Sequence, residues 1–190
     1  MSEKLKLHLG CGKHYIDGYT NIDIDPQFKL DVVDDVVALK KFENSTVDVI
    51  YACMVMEHLG KFKYVQAIKR WHELLKSGGT LRIVVPDFEA VANYYVKTKD
   101  LKNIYSALYA GQTDPYNFHY WCWDFETLKK DLESAGFKDV KRYDRNKTEH
   151  ANVRDWSINY IPYHDAEGKE LPDEEWFKGT FLNLNVEAVK

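Results

Sequence analysis

Three cysteines in 190 residues, Cys11, Cys53 and Cys122, are an odd number and too widely spaced for a disulfide framework or a zinc cluster. Reduced thiols in a cytoplasmic protein are expected. No apolar run approaches the ~20 residues that span a bilayer. Residues 1–4 pass straight into a short apolar stretch without a signal-peptide pattern, so no membrane is expected among the partners. Lys and Arg never stand in blocks longer than two and the formal charge is -4, which argues against a nucleic-acid partner. Low-complexity tracts and internal repeats are also missing. What remains is 45% apolar and 29% charged, a composition that folds rather than stays disordered. The length suits one domain over residues 1–190, built on one α/β sheet.

Weak alternation in Leu5-Lys6-Leu7-His8-Leu9 predicts a first strand, closed by the tight turn Gly10-Cys11-Gly12. Asn21-Ile22-Asp23-Ile24-Asp25 reads as a second strand stopped by Pro26, and Asp31-Val32-Val33 as a faint third. Val47-Asp48-Val49-Ile50-Tyr51-Ala52 is a β-branched run suited to a central strand buried on both faces. Tyr64, Ile68, Trp71 and Leu75 recur at helical spacing between Lys61 and Lys76, ahead of Ser77-Gly78-Gly79. Leu81 to Val85 is a fifth strand, and residues 89–97 a helix carrying Val91, Ala92, Tyr95 and Val96. Asp124 is placed to cap a helix whose inner face is Leu128, Leu132 and Ala135, closed by Gly136. Residues 137–143 make a sixth strand. The alternation of Leu182, Leu184, Val186 and Ala188 makes a half-buried seventh. Strand and helix alternate, so the sheet is expected to be mainly parallel with helices on both faces. Residues 98–123 and 144–180 lack periodicity, and irregular stretches of that length are usually functional. They are expected to form an acceptor-side lid.

A strand running into Gly10-Cys11-Gly12 lets backbone approach a ligand at the carboxyl edge of the sheet. A dinucleotide would want a third glycine at a helix start to seat its pyrophosphate. The sequence offers Lys13-His14-Tyr15-Ile16-Asp17 instead, and too few residues before Asn21 for a full crossover helix. A phosphate-free adenosyl cofactor needs only close backbone approach and a carboxylate for its ribose. Asp23 supplies that carboxylate, with Asp25 as the competing choice, and Asp34 or Asp35 can accept from an adenine amino group.

Five segments, in order and spacing, resemble the class I S-adenosylmethionine-dependent methyltransferases: Leu7-His8-Leu9-Gly10-Cys11-Gly12, Asn21-Ile22-Asp23-Ile24-Asp25, Val47-Asp48-Val49-Ile50-Tyr51, Met56-Glu57-His58-Leu59 and Leu74-Leu75-Lys76-Ser77-Gly78-Gly79-Thr80-Leu81. Leu132-Glu133-Ser134-Ala135-Gly136-Phe137 resembles the family's approach to strand six. The closest likeness is to compact bacterial and phage-type predicted methyltransferases, some associated with surface-glycan pathways. The resemblance implies a Rossmann-like, doubly wound, seven-stranded α/β sheet, mostly parallel, with the seventh strand antiparallel between the fifth and sixth. It implies S-adenosylmethionine as cofactor, lined by Gly10, Cys11 and Gly12, with Asp23 and Ile24 at the ribose, Asp35 at the adenine, and Cys53, Met54 and Met56 passing close by. The short first crossover is a departure from the family.

A sulfonium methyl is already activated, so no covalent nucleophile is needed and placement of the acceptor does much of the work. The expected acceptor is a small-molecule or glycan-like hydroxyl; the acceptor atom and oligomeric state are left open. If a general base is used, His119 is the first choice, because it lies among Tyr116, Phe118, Tyr120, Trp121 and Trp123 after strand five. Asp114-Pro115-Tyr116 lacks the second proline and the position of the amino-group DNA methyltransferase motif, and no proline precedes Cys53 as the cytosine-C5 pattern requires. The histidines show no short ligand spacing, so no metal site is expected. The alternatives are a nonenzymatic partner module that keeps the fold and a nicotinamide-dependent oxidoreductase, the latter opposed by the missing third glycine.

Overall fold

The computed structural model describes residues 4–190; residues 1–3, part of the stretch read above as lacking a signal segment, lie outside the described residues. Its strands in chain order are β1 (Lys6–Leu9), β2 (Thr20–Asp23), β3 (Val32–Val33), β4 (Val47–Cys53), β5 (Leu75–Pro86), β6 (Lys138–Arg142), β7 (Tyr160–Ile161), β8 (Thr180–Phe181) and β9 (Asn183–Val189). Seven of them form one sheet in the order β3-β2-β1-β4-β5-β9-β6, and β7 pairs with β8 apart from it. β1 to β5 run parallel, and β9 is antiparallel to both β5 and β6, as the resemblance implied. No helix among the described residues is long and apolar enough to cross a membrane.

Side-chain alternation divides the sheet into two unlike faces. Leu7, Leu9, Ile50, Ala52, Leu81, Ile83, Leu184, Val186 and Ala188 belong to the main apolar core. Against them pack α1 (Lys61–Leu74), through Tyr64, Ile68 and Trp71, and α4 (Phe125–Ser134), through Leu128 and Leu132. Asp124 caps α4 as its sequence predicts, in a reciprocal box with Thr127. Two further helices, α2 (Phe88–Thr98) and α3 (Tyr105–Tyr109), pack with Ile161 and Leu182 in a satellite cluster, and α5 (Asp173–Trp176) lies in the late irregular stretch.

The other face carries His8, Tyr51, Arg82, Asn183, Asn185 and Glu187 at the alternate positions, and its cover is mostly irregular chain. Residues 10–19 join β1 to parallel β2 without a helix. Asn21 stands in for one: its buried amide accepts from the Ile16 N–H at 2.9 Å and donates to the carbonyls of Ile16 and Tyr19 at 3.0 Å. Residues 145–158 lie over the remainder. Tyr51 donates to Asp155 at 2.7 Å, the His150 ring lies 4.2 Å from that of Tyr51, and the Arg145 guanidinium donates to the carbonyls of Ala151 and Val153. The doubly wound sheet is as expected, but irregular segments take the place of helices over this part of it.

The main departures from the sequence reading lie where α1 passes into β5, which begins at Leu75 rather than Leu81, and at the end of β2. The helix expected to run to Lys76 stops at Leu74, because Leu75 turns extended (φ -64°, ψ 144°) and pairs with Val47; the register then shifts before Val49 meets Thr80, with Gly78 at φ +78° in the displaced loop. β2 ends at Asp23 rather than reaching Pro26. The Asp23 carboxylate accepts from the Asp25 N–H at 3.0 Å, a local turn that competes with the ladder.

Candidate active site

At the carboxyl edge of β1, Gly10 (φ +60°) and Gly12 (φ +49°) both take the left-handed conformation. A Cβ on Gly10 would stand 2.5 Å from Cγ2 of Val55, so only glycine lets this turn pass beneath the loop after β4. Asp23, at the end of neighbouring β2, accepts from the Gly12 N–H at 2.8 Å and fixes the turn from the side. Met54, the residue after β4, stands at φ +52°, an uncommon backbone state for a side chain of its size, held by its N–H donating to the Val84 carbonyl at 2.8 Å.

These elements border one cavity of about 580 Å³, within the range of ~300–1,000 Å³ typical of small-ligand sites. Of the cofactor residues named from the sequence, Gly10, Cys11 and Gly12 line it from the first turn, Asp23 and Ile24 from the end of β2, Asp35 from beyond β3, and Cys53 and Met54 from the end of β4 and the residue after it, whereas Met56 is turned into the main core and Asp34 does not border the space. Asp25 and Val37 line it too. Burial pushes the Cys11 thiol up to about 12 and that of Cys53 well above its usual range, so both are neutral wall groups rather than nucleophiles. Both irregular stretches reach the cavity, the first through residues 114–117 and Tyr120, the second through Asp155 and Trp156. Asp155 and Trp156 carried no signal in the sequence, since nothing periodic surrounds them.

His119 does not line this cavity. Its ring packs edge-on against His58, centroids 4.7 Å apart, and it is His58 that borders the space. The Nδ1–H of His119 donates to the Ala107 carbonyl at 2.9 Å, which turns Nε2 toward Glu57 Oε1, 3.9 Å away. Burial, and then the neighbouring His119, holds His58 down to about 4, while burial raises Glu57 to about 8. The expected direct base is therefore set back from the cavity, and of the aromatic residues flanking it in sequence, Trp123 is buried in the core. The expectation of no metal rested on spacing along the chain; the fold nonetheless gathers Glu57, His58 and His119 into one cluster.

The glycine cradle, the carboxylate of Asp23 and the absence of a helix start after Gly12 fit an adenosyl cofactor without phosphate. The model of the methyltransferase domain family matches residues 7–142, most of the chain. No functionally curated protein matches the sequence. Among solved structures, a methyltransferase from Archaeoglobus fulgidus described as S-adenosylmethionine-dependent is 18% identical with a TM-score of 0.58, over 98% of this chain and 86% of that one. One from Methanosarcina mazei is 17% identical with a TM-score of 0.59, over 100% and 94%. The 1,6-didemethyltoxoflavin-N1-methyltransferase of Burkholderia thailandensis, with 1,6-didemethyltoxoflavin and S-adenosylhomocysteine bound, is 15% identical with a TM-score of 0.54, over 98% and 70%. At such identities the likeness is one of fold. The family match, the strand order and the residues at the sheet edge together place the chain in the methyltransferase domain family, as a class I S-adenosylmethionine-dependent methyltransferase.

Proposed function

We propose that this enzyme methylates a hydroxyl of a small, ring-bearing, glycan-like acceptor, and that Gly10, Gly12, Asp23 and Asp35 hold the cofactor. The observation that carries the reading is that one cavity takes in both the glycine-and-carboxylate set and an aromatic wall of Tyr116, Tyr120 and Trp156. These rings are 61%, 58% and 49% exposed, large apolar surfaces left open where a flat or sugar ring can stack. Lys13, Lys63, Asp114 and Asn117 stand among them and offer the polar contacts that a polyhydroxylated acceptor requires.

When bound, the cofactor supplies a methyl group activated by its sulfonium. What the chain adds is placement and exclusion of water. Asp23 already accepts from Gly12 and Asp25, so its carboxylate is oriented before any ribose reaches it. The two irregular stretches act as the acceptor-side walls, and His119 serves from behind His58 rather than by touching the acceptor.

The test is methyl transfer from radiolabelled S-adenosylmethionine to a panel of sugars, phenols, amines and peptides, with calorimetry of cofactor binding alongside. Transfer to hydroxyl acceptors, and a KM for them raised about tenfold in Trp156→Ala, is the expected result, one stacked ring contributing ~1.4 kcal/mol. Transfer confined to amines or peptides would overturn the acceptor assignment. For the cofactor, Asp23→Ala in a folded protein is expected to abolish saturable binding; undiminished binding would remove Asp23 from the site.

A further inference from the structure

Glu57 is fully buried, yet neither of its carboxylate oxygens has a hydrogen-bond partner. A carboxyl group sealed from water without hydrogen bonds or a counter-charge is costly in either protonation state, and such buried polar groups call for a partner. It lies in the single 3-10 turn Met56–His58 that follows β4, whose other end places His58 at the cavity wall. Nδ1 of His58 is likewise buried without a partner. From the first irregular stretch comes His119, docked here partly by the Tyr120 N–H donating to the Glu57 carbonyl at 2.8 Å.

We propose that Glu57, His58 and His119 form a binding site for one divalent transition-metal ion of the zinc class, adjoining the cavity through His58. One ligand atom from each residue lies within 4.8 Å of the other two. Ligand atoms around a tetrahedral zinc stand about 3.3 Å apart, so small side-chain rotations close the set. The donor types fit as well: two imidazoles and one carboxylate suit borderline ions such as zinc or cobalt, whereas magnesium prefers oxygen alone.

The surroundings are those of a metal-ligating histidine. With the Nδ1–H of His119 fixed on the Ala107 carbonyl at 2.9 Å, the lone pair sits on Nε2, the atom that faces Glu57. A second hydrogen bond of that kind is how folds set the tautomer and the ring orientation of a histidine ligand. The dication supplies the counter-charge that Glu57 lacks. The ion also ties the turn after β4 to the stretch carrying Tyr116 and Tyr120, so the aromatic wall and the cofactor side of the cavity are joined through it.

The site is tested on the full chain, after chelator treatment, by calorimetric titration with zinc and by the visible spectrum of the cobalt-loaded protein. Expected are one equivalent of zinc per chain, a cobalt d–d band, and a rise in Tm on loading. Glu57→Gln and the conservative His119→Gln, each checked for folding by circular dichroism, are expected to weaken zinc binding at least tenfold and to remove the band. Absence of zinc binding by folded, chelator-treated wild type would overturn the proposal, as would binding that folded His119→Gln leaves unchanged, since the metal would then lie elsewhere. Because the readout is the metal itself, failure here is separate from failure of the acceptor assignment, which is read by methyl transfer.

Discussion

Gly10→Ala is a direct probe of how the two halves of the site are pressed together. An alanine there must hold φ +60°, which costs about 1–2 kcal/mol for a residue with a Cβ. Its Cβ would also stand 2.5 Å from Cγ2 and 3.3 Å from Cγ1 of Val55, against ordinary carbon contacts of about 3.5–4.0 Å. Val55 cannot swing clear, since it is packed in the core with a branched side chain that is stiff about χ1. Such crowding adds about 1–3 kcal/mol, for a total of about 2–5 kcal/mol. Gly12→Ala separates the two causes: its φ is +49°, but nothing lies within 4 Å of the added Cβ, so it is expected to cost only the conformational 1–2 kcal/mol, about. Urea denaturation of the two single variants, Val55→Ala and the double variant Gly10→Ala/Val55→Ala measures the steric part as a coupling energy. The double variant is expected to be more stable than the sum of its parts by about 1–3 kcal/mol. Additivity within about 0.5 kcal/mol, or a Gly12→Ala loss equal to that of Gly10→Ala, would refute the reasoning.

Burial holds His150 down to about 4, below its ordinary 6.5, so between those pH values the unfolded chain binds the proton and the folded one does not. The His150 contribution is therefore complete above about pH 6.5 and is lost as the pH drops toward 4, by up to about 3 kcal/mol; His150→Phe is expected to reduce the acid-side slope of urea midpoints, and an unchanged slope would count against it. Asn21→Ala strands the Ile16 N–H and the Ile16 and Tyr19 carbonyls at once, and should cost about 3 kcal/mol or more by denaturation, with Asn21→Asp recovering only part. Asp124→Ala removes the reciprocal cap of α4 and should cost about 1 kcal/mol, while Asp124→Asn costs less; equal losses would mean that the cap is not the cause.

The features legible in the sequence are those fixed by a few adjacent residues. A glycine turn announces itself because left-handed backbone at Gly10 and Gly12 needs glycine, and Asp23 reaches the turn simply because β2 lies beside β1. Asp124 and Thr127 are three residues apart, so the cap of α4 is equally local. The polar alternates of β9 misled in an instructive way. Their period predicts a strand with one face in water, but Asn183 and Asn185 are buried, and their amides donate to the carbonyls of Trp156 and Ser157 at 2.6 and 3.4 Å. Period two reports which residues share a face, not what covers it. Nor could spacing along the chain bring His119 to Glu57, since only the return of an aperiodic stretch across the β4 turn does so.

The same physical fact accounts for both the departure from the family and the shape of the site. A first crossover too short for a helix leaves part of one sheet face open, and a sheet carrying His8, Tyr51, Arg82 and Glu187 there cannot be closed by an apolar helix without stranding polar groups. Residues 145–158 meet that demand with partners: Asp155 for Tyr51, and Glu149 for Arg82 at 2.7 Å and for Tyr19 at 2.7 Å. Asp155 is followed by Trp156, whose ring borders the cavity. The segment that satisfies the polar face is thus the one that carries part of the aromatic wall, and the position of Trp156 is set by hydrogen bonds to the sheet rather than by contacts with an acceptor. On the function proposed above, a wall anchored in this way is already in place when the acceptor arrives, so acceptor binding need not bear the cost of ordering it.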